Sequence, residues 1–305
     1  MTTSTDETTF TDDDGVEVFL RRWQPDGDAR GAVIVAHGMS EHSGRYGRFA
    51  GALTEDAWAV YALDHRGHGR TADATGRGHT GPRGGDGLLG ALGTLVTRAE
   101  EETGGPVVLF GHSMGAILSQ VYAERRGEGL AALVLSGSTG PLAGSTELLA
   151  GLDQVVAAGG GDEPVDMLGG FNAPFEPART RYDWLSRDPA EVDAYVADPY
   201  CGDNLPMTQG FIAEVFRLGV EGMTAEGVAR IPAGLPVLLV TGEQDPASGM
   251  AGQVRVLEKM LRDHVEHVSA RYYPDARHEL LNETNRDEVT ADVIEWLDQT
   301  LPRSR

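Results

Sequence analysis

PVVLFGHSMGAILSQVYAERRGEG, residues 106–129, runs an apolar segment into Gly-His-Ser-Met-Gly and then directly into a helical pattern that ends at Gly127. A strand, a tight turn with a central serine and a helix, in this order, are typical of the turn that exposes a nucleophilic serine at the top of a sheet. Glycines on both sides of Ser113 let the backbone turn sharply and let strand and helix approach closely. The stretch therefore predicts an α/β fold with Ser113 as nucleophile.

The rest of the chain repeats this alternation of strand and helix. Leu88, Leu92 and Leu95 share one helical face, and apolar residues recur at the same spacing within 254–261 and 289–297. Between these helical patterns lie short runs rich in β-branched residues, at 16–23, 31–38, 58–67, 106–113, 130–138, 236–245 and 268–279. The alternation predicts a mostly parallel sheet with helices on both faces, and DDDG before the first run predicts a leading antiparallel hairpin.

The pattern breaks between about residues 141 and 230. Glycine and proline are frequent there and no strong strand is evident, while Trp184, Leu185 and Phe211 supply side chains that can pack. A long segment of this kind inside an α/β domain predicts a helical insertion, and insertions beside the carboxyl edge of a sheet tend to be lids. We therefore expect a core at 1–140 and 231–305 with a helical cap or lid at 141–230.

Composition limits the partners and the compartment. The chain has 305 residues, of which 40% are apolar. It contains 25 basic and 47 acidic residues, which gives a net charge of −22. This charge repels nucleic acid and anionic lipid headgroups, so no nucleic-acid partner is expected. A single cysteine, Cys201, excludes an intrachain disulfide, and the acidic N-terminus does not resemble a signal peptide. We expect a cytoplasmic protein with at most transient contact with membranes or micelles.

A serine hydroxyl needs a base, and the base needs an acid that holds its tautomer. Of nine histidines, His278 follows the last strand-like run and precedes the last helix, as the base does in the chain order serine, acid, histidine. Asp245 stands just beyond the preceding strand and before Pro246. Glu243 and Asp275 are the rival acids, and both are more typical of solvated carboxylates. The predicted triad is Ser113, Asp245 and His278.

The loop HGMSEHSGRY, residues 37–46, follows a buried strand and suits a second catalytic task. Acyl transfer generates an oxyanion, which this type of site stabilises with the backbone N–H after the nucleophile and another from the loop after an early strand. We assign these donors to Met114 and Met39. The alternative for His37 and Gly38 is a plain turn at the end of the strand.

Two features invite other chemistry. His65 and His68 stand three residues apart, as do His264 and His267, but two histidines without convergent carboxylates or cysteines are a weak metal-ligand set. No strand-to-helix turn surrounds Cys201, so a packed thiol is expected rather than a nucleophile. The sequence predicts neither a metal nor an organic cofactor, and Arg66 is expected to brace the loop beside the oxyanion turn.

Together these motifs resemble the monoacylglycerol lipase and lysophospholipase-like branch of the α/β-hydrolases in its bacterial form, across nearly the whole chain. The motifs are HGMSEHSGRY (37–46), DHRGHGRT (64–71), GHSMGA (111–116), TGEQDP (241–246) and RHE (277–279). The resemblance implies an α/β-hydrolase fold with an eight-stranded sheet and a helical lid. It implies the same triad, Ser113, Asp245 and His278, and the same oxyanion donors, Met39 and Met114.

The resemblance also implies residues for the polar end of the substrate pocket. In animal monoglyceride lipases the acid and the arginine of the first motif, here Glu41 and Arg45, border the place where glycerol sits, and a tyrosine before an Asp-Pro helps them, here Tyr195. The alternative is that Glu41 and Arg45 pair to brace the loop. Leu281 stands three residues after His278, where the animal enzymes have a second histidine.

The function implied is hydrolysis of carboxylic esters of single-acyl-chain lipids, with monoacylglycerol cleaved to glycerol and fatty acid through an acyl-enzyme. The partner is then a small-molecule lipid ester. A lysophospholipase or a general carboxylesterase is the close alternative, and acyl transfer to an alcohol uses the same residues. From a different class, the fold also suits a small-molecule receptor. A complete triad argues for the enzyme.

Overall fold

The computed structural model describes residues 4–141 and 144–303, and its centre is a mixed sheet of eight strands. The sheet order is β1-β2-β4-β3-β5-β6-β9-β10, and a separate two-stranded ladder pairs β7 with β8. The strands are β1 (Ser4–Thr11), β2 (Glu17–Gln24), β3 (Gly31–Ala36), β4 (Trp58–Leu63), β5 (Val107–His112), β6 (Ala132–Ser136), β7 (Pro164–Val165), β8 (Met207–Thr208), β9 (Val237–Gly242) and β10 (Val268–Tyr273).

Six of the eight strands, β4, β3, β5, β6, β9 and β10, are joined by parallel pairing, and β2 is antiparallel to both of its neighbours, β1 and β4. The predicted mostly parallel, eight-stranded sheet and the leading hairpin of β1 and β2 are thereby confirmed. Every residue of β3, β4, β5, β6 and β9 is buried, as near-continuous apolar runs of parallel strands require when both faces are covered.

Helices cover both faces of the sheet. They are α1 (Gly47–Glu55), α2 (Ala72–Thr75), α3 (Gly84–Thr103), α4 (Met114–Arg126), α5 (Ser145–Val155), α6 (Pro189–Ala197), α7 (Gln209–Gly222), α8 (Ala225–Val228), α9 (Gly252–Arg262) and α10 (Arg286–Thr300). Alternate residues of β3 show the two layers. Ile34 packs in the cluster that holds α3, α4 and α9, whereas Val33 and Val35 pack in the cluster that holds α1 and α10.

The segment between β6 and β9 contains α5, α6, α7 and α8 and the two-residue strands of the small ladder. Trp184, Leu185 and Tyr195 form a cluster of their own with Cys201, while Phe211 joins the main core. Trp184, Leu185 and Phe211, which the sequence offered as side chains that can pack, are therefore buried. The role of residues 141–230 as a separate cap stays a prediction, and residues 142–143 lie outside the described ranges.

The chain leaves β3 in one direction to form β4 and later returns on the other side of β3 to form β5. In open α/β sheets, the crevice between two strands whose connections diverge in this way is the usual place for a ligand. The loops after β3 and β5 therefore meet at one edge. In residues 4–141 and 144–303, no helix is both long enough and apolar enough to cross a bilayer.

Candidate active site

Ser113 occupies a sharp turn between β5 and α4. Its backbone has φ 54° and ψ −116°, a strained conformation for a residue with a side chain, and its N–H donates to the Ser136 carbonyl at 3.0 Å. A Cβ at Gly111 would lie 2.3 Å from the Gly115 carbonyl oxygen, and one at Gly115 would lie 2.0 Å from the Ala36 carbonyl oxygen. Both glycines are needed because strand, turn and helix approach too closely for any side chain.

Asp245 and His278 meet beside this turn from the loops after β9 and β10. His278 Nδ1 lies 3.0 Å from Asp245 Oδ2, and both side chains are almost fully buried. The other carboxylate oxygen of Asp245 accepts the Ala247 N–H at 2.9 Å, which fixes the orientation of the carboxylate. Since an ionised carboxylate only accepts, His278 carries its proton on Nδ1 and leaves Nε2 free to accept another.

The surroundings of His278 favour its protonated form. Burial lowers the pKa of His278, but the charge of Asp245 and the hydrogen bond to it outweigh burial, so the pKa is raised above its ordinary value. The indole of Trp184 lies against the imidazole, with ring centroids 4.8 Å apart. A histidine held in this way has the properties of a general base that becomes a general acid.

Ser113 and His278 open onto one apolar cavity of about 300 Å³. Its wall combines α4, α7 and the start of α5 with the segment around Met167 and Phe171. The principal apolar lining residues are Met39, Met114, Ile117, Met167, Leu168, Phe171, Trp184, Val215, Phe216, Val220 and Met223. The cavity therefore brings a hydroxyl, an imidazole and a long apolar surface together.

Met39 and Met114, the predicted oxyanion donors, both line this cavity. The backbone N–H groups of both neighbours of Met39 are already hydrogen-bonded within the protein. The Gly38 N–H donates to Glu41 Oε1, and the Ser40 N–H donates to His68 Nε2. Over residues 4–141 and 144–303, no hydrogen bond occupies the N–H of Met39 or of Met114. The N–H of Met114, the first residue of α4, is one of those that a helix leaves without an internal partner.

Glu41 and Arg45 are buried in an ion network behind the loop. Arg45 Nη1 donates to Glu41 Oε2 at 2.8 Å, and its guanidinium makes a bidentate contact with Glu279, with Nη2 2.7 Å from Oε2. The hydroxyl of Tyr46 donates to Glu41 Oε1 at 2.8 Å. Burial raises the pKa of Glu41, but the charge of Arg45, the neighbouring histidines His112 and His37 and the hydrogen bond from the Gly38 N–H together outweigh burial and lower the pKa to about 2. The free space beside this network is only about 10 Å³.

Tyr195 binds the same loop from α6. Its hydroxyl donates to the Ser40 carbonyl at 2.9 Å, and the Arg45 guanidinium lies 4.8 Å from the centre of its ring. The structure thus brings Glu41, Arg45 and Tyr195 together, but none of the three lines the 300 Å³ cavity. These contacts favour the bracing alternative, and their contact with substrate stays a prediction.

The histidines after β3 and β4 serve the backbone. His37 Nε2 accepts the His65 N–H at 2.9 Å, and His68 Nε2 accepts the Ser40 N–H at 3.0 Å. Burial lowers the pKa of His37, lowers that of His65 well below its usual range, and lowers that of His68 to about 3. All three are neutral at neutral pH. The rings of His37 and His68 hold the two loops through backbone N–H groups, whereas in the described part of the chain neither ring nitrogen of His65 has a hydrogen-bond partner.

Arg66, expected to brace this region, is fully buried. Its guanidinium pairs with Asp12 and Asp14 in the turn of the leading hairpin, at 2.5 and 2.7 Å, and donates to the Pro82 carbonyl at 2.6 Å. The contacts therefore link the loop after β4 to the hairpin.

In the described part of the chain, the three potential metal ligands that lie closest together are His42, Asp198 and Cys201, with their ligand atoms within 4.8 Å of one another. The Gly44 N–H donates to His42 Nδ1, so the ring proton is on Nε2 and faces Asp198 Oδ2 at 3.1 Å. The group is thus a hydrogen-bonded pair beside a buried thiol. Burial raises the pKa of Cys201 well above its usual range, which does not suit a nucleophile.

Sequence reasoning did not identify two functional contributors. Glu279 holds Arg45 although 234 residues separate them, and Trp184 packs on the base from the middle of the insertion. The motif RHE placed Glu279 directly after the predicted base, which was the available signal. No local sequence pattern indicates the role of Trp184, because that role depends on its contact with His278, which is distant in the sequence.

Comparison with known proteins shows the family of this chain. The family described as "Serine aminopeptidase, S33" matches residues 27–285, which is most of the chain. The chain belongs to this family. Within the family it lies in the monoacylglycerol lipase-like branch of the α/β-hydrolases, as predicted, and it is a carboxylic ester hydrolase. The word aminopeptidase belongs to the family description rather than to the relatives described next.

Several of the similar proteins are named as lipases or esterases. A monoacylglycerol lipase of Mycolicibacterium smegmatis is 32% identical over 285 residues, which cover 93% of each chain. Among solved structures, a highly thermostable carboxyl esterase from Bacillus coagulans in complex with glycerol has a TM-score of 0.91 at 29% identity, covering 98% of this chain and 99% of the other. The monoacylglycerol lipase of Paleococcus ferrophilus has a TM-score of 0.70 at 27% identity, with 92% and 99% covered.

Proposed function

We propose that this S33-family hydrolase cleaves carboxylic esters of single-acyl-chain lipids, and that monoacylglycerol, cleaved to glycerol and a fatty acid, is its preferred substrate. The observation that carries the proposal is the shared cavity: Ser113 and His278 open onto the same apolar space, and buried Asp245 holds His278 at 3.0 Å. The names of the similar proteins, monoacylglycerol lipases among them, support the choice of substrate.

In the first step Ser113 Oγ attacks the ester carbonyl carbon while Nε2 of His278 takes the hydroxyl proton. Asp245 keeps the proton on Nδ1 and stabilises the imidazolium that forms. The bond to the alcohol then breaks, and His278 gives its proton to the leaving oxygen. The products are the free alcohol and an acyl group on Ser113.

The negative charge that develops on the carbonyl oxygen needs donors in place before the reaction. The N–H groups of Met39 and Met114 fill this role in the proposal, because both residues line the cavity and neither N–H is spent on the protein. The amino end of α4 adds the positive end of a helix dipole at the same place. Side-chain identity at the two positions matters little for this task.

In the second step a water molecule takes the place of the alcohol. His278 removes a proton from the water, the hydroxide attacks the acyl carbon, and the proton then passes to Ser113 Oγ as the fatty acid leaves. The cycle balances with ester and water as the only reactants. The triad therefore needs no metal or organic cofactor.

Cavity size and lining support a single acyl chain. About 300 Å³ is at the lower end for small-molecule pockets, and the lining is mostly apolar. Its polar side chains are Ser113, His278, Thr139, Ser145, Thr146 and Thr224. In the proposal, the segment 141–230 acts as the lid over this cavity. Leu148 in α5 and Val156 just after it are 40% and 39% exposed, which suits transient contact with a micelle or a membrane surface.

A general carboxylesterase is the second candidate, and one observation favours it. Glu41, Arg45 and Tyr195 are enclosed by their own contacts, so glycerol recognition through them has little space. The two candidates share the triad and differ only in the alcohol that they prefer.

The test is hydrolysis of a matched panel by the purified protein, with Ser113→Ala alongside. The panel contains monoacylglycerols, lysophosphatidylcholines, diacylglycerols and short nitrophenyl esters. Preference for monoacylglycerols that is abolished in Ser113→Ala supports the proposal, and the variant should lose activity by about 10⁴- to 10⁶-fold. Serine-dependent activity on short esters alone supports the general esterase. Turnover that survives in Ser113→Ala contradicts the serine mechanism of both candidates. Absence of turnover from the parent protein contradicts both candidates and favours the small-molecule receptor.

A further inference from the structure

Two positions on the wall of the cavity have no side chain, Gly140 and Gly219. Gly140 has φ +62°, and a Cβ there would lie 2.4 Å from the Gln253 carbonyl oxygen, so its backbone conformation and its packing require a glycine. The face of α7 that lines the cavity carries Val215, Phe216, Val220 and Met223, and in the middle of this apolar face stands Gly219. Ile117 of α4, one turn after Ser113, lies beside Gly219 and also lines the cavity.

Packing does not require a glycine at this position. A Cβ built on Gly219 meets only Ile117 Cγ2, at an ordinary contact distance of 3.7 Å, and the backbone is not left-handed. Gly222, one turn later, shows the contrast, because a Cβ there would lie 2.6 Å from Val121 Cγ2. Glycine inside a helix lowers its stability relative to alanine. Gly219 therefore makes α7 less stable than alanine would, and it leaves more free volume in the cavity.

We propose that Gly219 is a specificity-determining position, whose missing side chain sets the length of acyl chain that the enzyme accepts. The inference rests on the proposed function and adds to it the direction of the substrate. The acyl chain runs from Ser113 through the cavity along the wall where α4 and α7 meet, over Ile117 and Gly219, and the alcohol leaves on the other side of Ser113. A larger side chain at position 219 fills the space that the distal methylenes occupy.

The experiment compares chain-length profiles of nitrophenyl esters from acetyl to palmitoyl for the parent protein, Gly219→Ala and Gly219→Leu. We expect Gly219→Leu to keep hydrolysis of the acetyl ester and to lower kcat/KM for the dodecanoyl ester by about tenfold or more. Gly219→Ala should move the profile in the same direction by less, with a melting temperature at or above that of the parent.

The matched control is Gly151, an exposed glycine inside α5 whose Cβ would meet nothing within 4 Å. Gly151→Leu should leave the ratio of long-chain to short-chain activity within about twofold of the parent. An equal loss for short and long esters in Gly219→Leu, or an unchanged ratio in both Gly219 variants, overturns the proposal. If Gly219→Leu does not fold, the profile of Gly219→Ala decides.

A readout without catalysis separates this inference from the proposed function. Fatty acids of increasing length are added to Ser113→Ala with and without Gly219→Leu, and the shift in melting temperature is measured. If the shift grows with chain length and Gly219→Leu removes that growth, the acyl path stands even where the parent protein hydrolyses no ester. If neither the parent profile nor the shift depends on chain length, the acyl path is wrong although ester hydrolysis remains.

Discussion

The loops after β5, β9 and β10 and the loops after β3 and β4 end at the same edge of the sheet but use their polar side chains differently. We call Ser113, Asp245 and His278 the serine cluster, and it faces a cavity of about 300 Å³. We call Glu41, Arg45 and the partners that enclose them, Tyr46 and Glu279, the loop cluster, beside which there is about 10 Å³. The serine cluster therefore has polar atoms available for a ligand, whereas the loop cluster has almost no free space beside it.

The difference lies in how each cluster satisfies its hydrogen bonds. In the serine cluster a carboxylate holds one side of an imidazole and leaves the other nitrogen free. In the loop cluster, each carboxylate already accepts from a guanidinium, and Glu41 also accepts from a hydroxyl and a backbone N–H. A buried polar group that is fully paired stabilises the backbone, whereas one left with a free position does chemistry.

The largest expected effect tests the serine cluster through its acid. Asp245→Asn should lower kcat for ester hydrolysis by about 10⁴-fold, because the amide no longer holds the proton on Nδ1 of His278. Asp275→Asn is the matched control, since Asp275 is an exposed carboxylate only three residues before the base. Steady-state kinetics of both variants, with circular dichroism to check folding, give the result. Loss of activity in Asp275→Asn rather than in Asp245→Asn would reverse the assignment.

Most of the fold could be predicted from the sequence, because it depends on local patterns. The structure brings Asp245 and His278, both named from the sequence, within 3.0 Å of each other, and the catalytic role of the serine cluster stays a prediction. The turn around Ser113 needs glycines within two residues of it, and strand ends follow apolar runs within a few residues. Predicted strands continued past their ends, as 31–38 against Gly31–Ala36, since apolar character does not show where the ladder of hydrogen bonds stops. The two-residue strands of the small ladder are too short for any periodicity.

The loop cluster was harder to predict because its contacts are not local. The sequence places Glu41 and Arg45 four residues apart and leaves two roles open, substrate contact and bracing. Glu279 decides which role the contacts favour, and it comes from a loop 234 residues further along the chain. Gly219 is similar, because a glycine inside a helical pattern does not show which cavity it borders.

The second prediction asks whether the loop cluster braces or binds. Arg45→Ala leaves two buried carboxylates without their cation, so the free energy of unfolding should fall by about 3 kcal/mol. Arg48→Ala is the control, because its side chain is 54% exposed and its pair with Glu191 contributes about 1 kcal/mol or less. Urea unfolding at neutral pH measures both changes.

Kinetics on the same variants complete the comparison. If Arg45 only braces the loop, Arg45→Ala lowers kcat/KM by the same factor for monoacylglycerols and for nitrophenyl esters of equal chain length. A selective loss on monoacylglycerols, without a fall in stability, would instead place Arg45 against the glycerol headgroup.

The smallest expected effect is on the pH dependence of stability. On acidification, His68 and His278 change the free energy of unfolding in opposite directions. His68 has a pKa lowered to about 3 by burial, and unfolding returns it to about 6.5. Below pH 6.5 the unfolded chain therefore binds a proton at His68, whereas this histidine stays neutral in the folded chain. Stability from this histidine is complete above pH 6.5 and falls by roughly 2 kcal/mol between pH 6.5 and 5. For His278, whose pKa is raised, stability is complete below pH 6.5 and is lost as pH rises through the folded pKa.

Urea unfolding between pH 7.5 and 5 measures the slope for the parent protein, His68→Gln and His264→Gln. Glutamine keeps an acceptor for the Ser40 N–H but takes up no proton, so His68→Gln should lose less stability on acidification than the parent. His264 is exposed, and its replacement should leave the slope unchanged. An identical slope in His68→Gln and the parent would mean that His68 takes up its proton in the folded state. Burial would then not prevent the protonation of His68 in the loop after β4, and this histidine would not differ from His278 in its ability to take up a proton in the folded state.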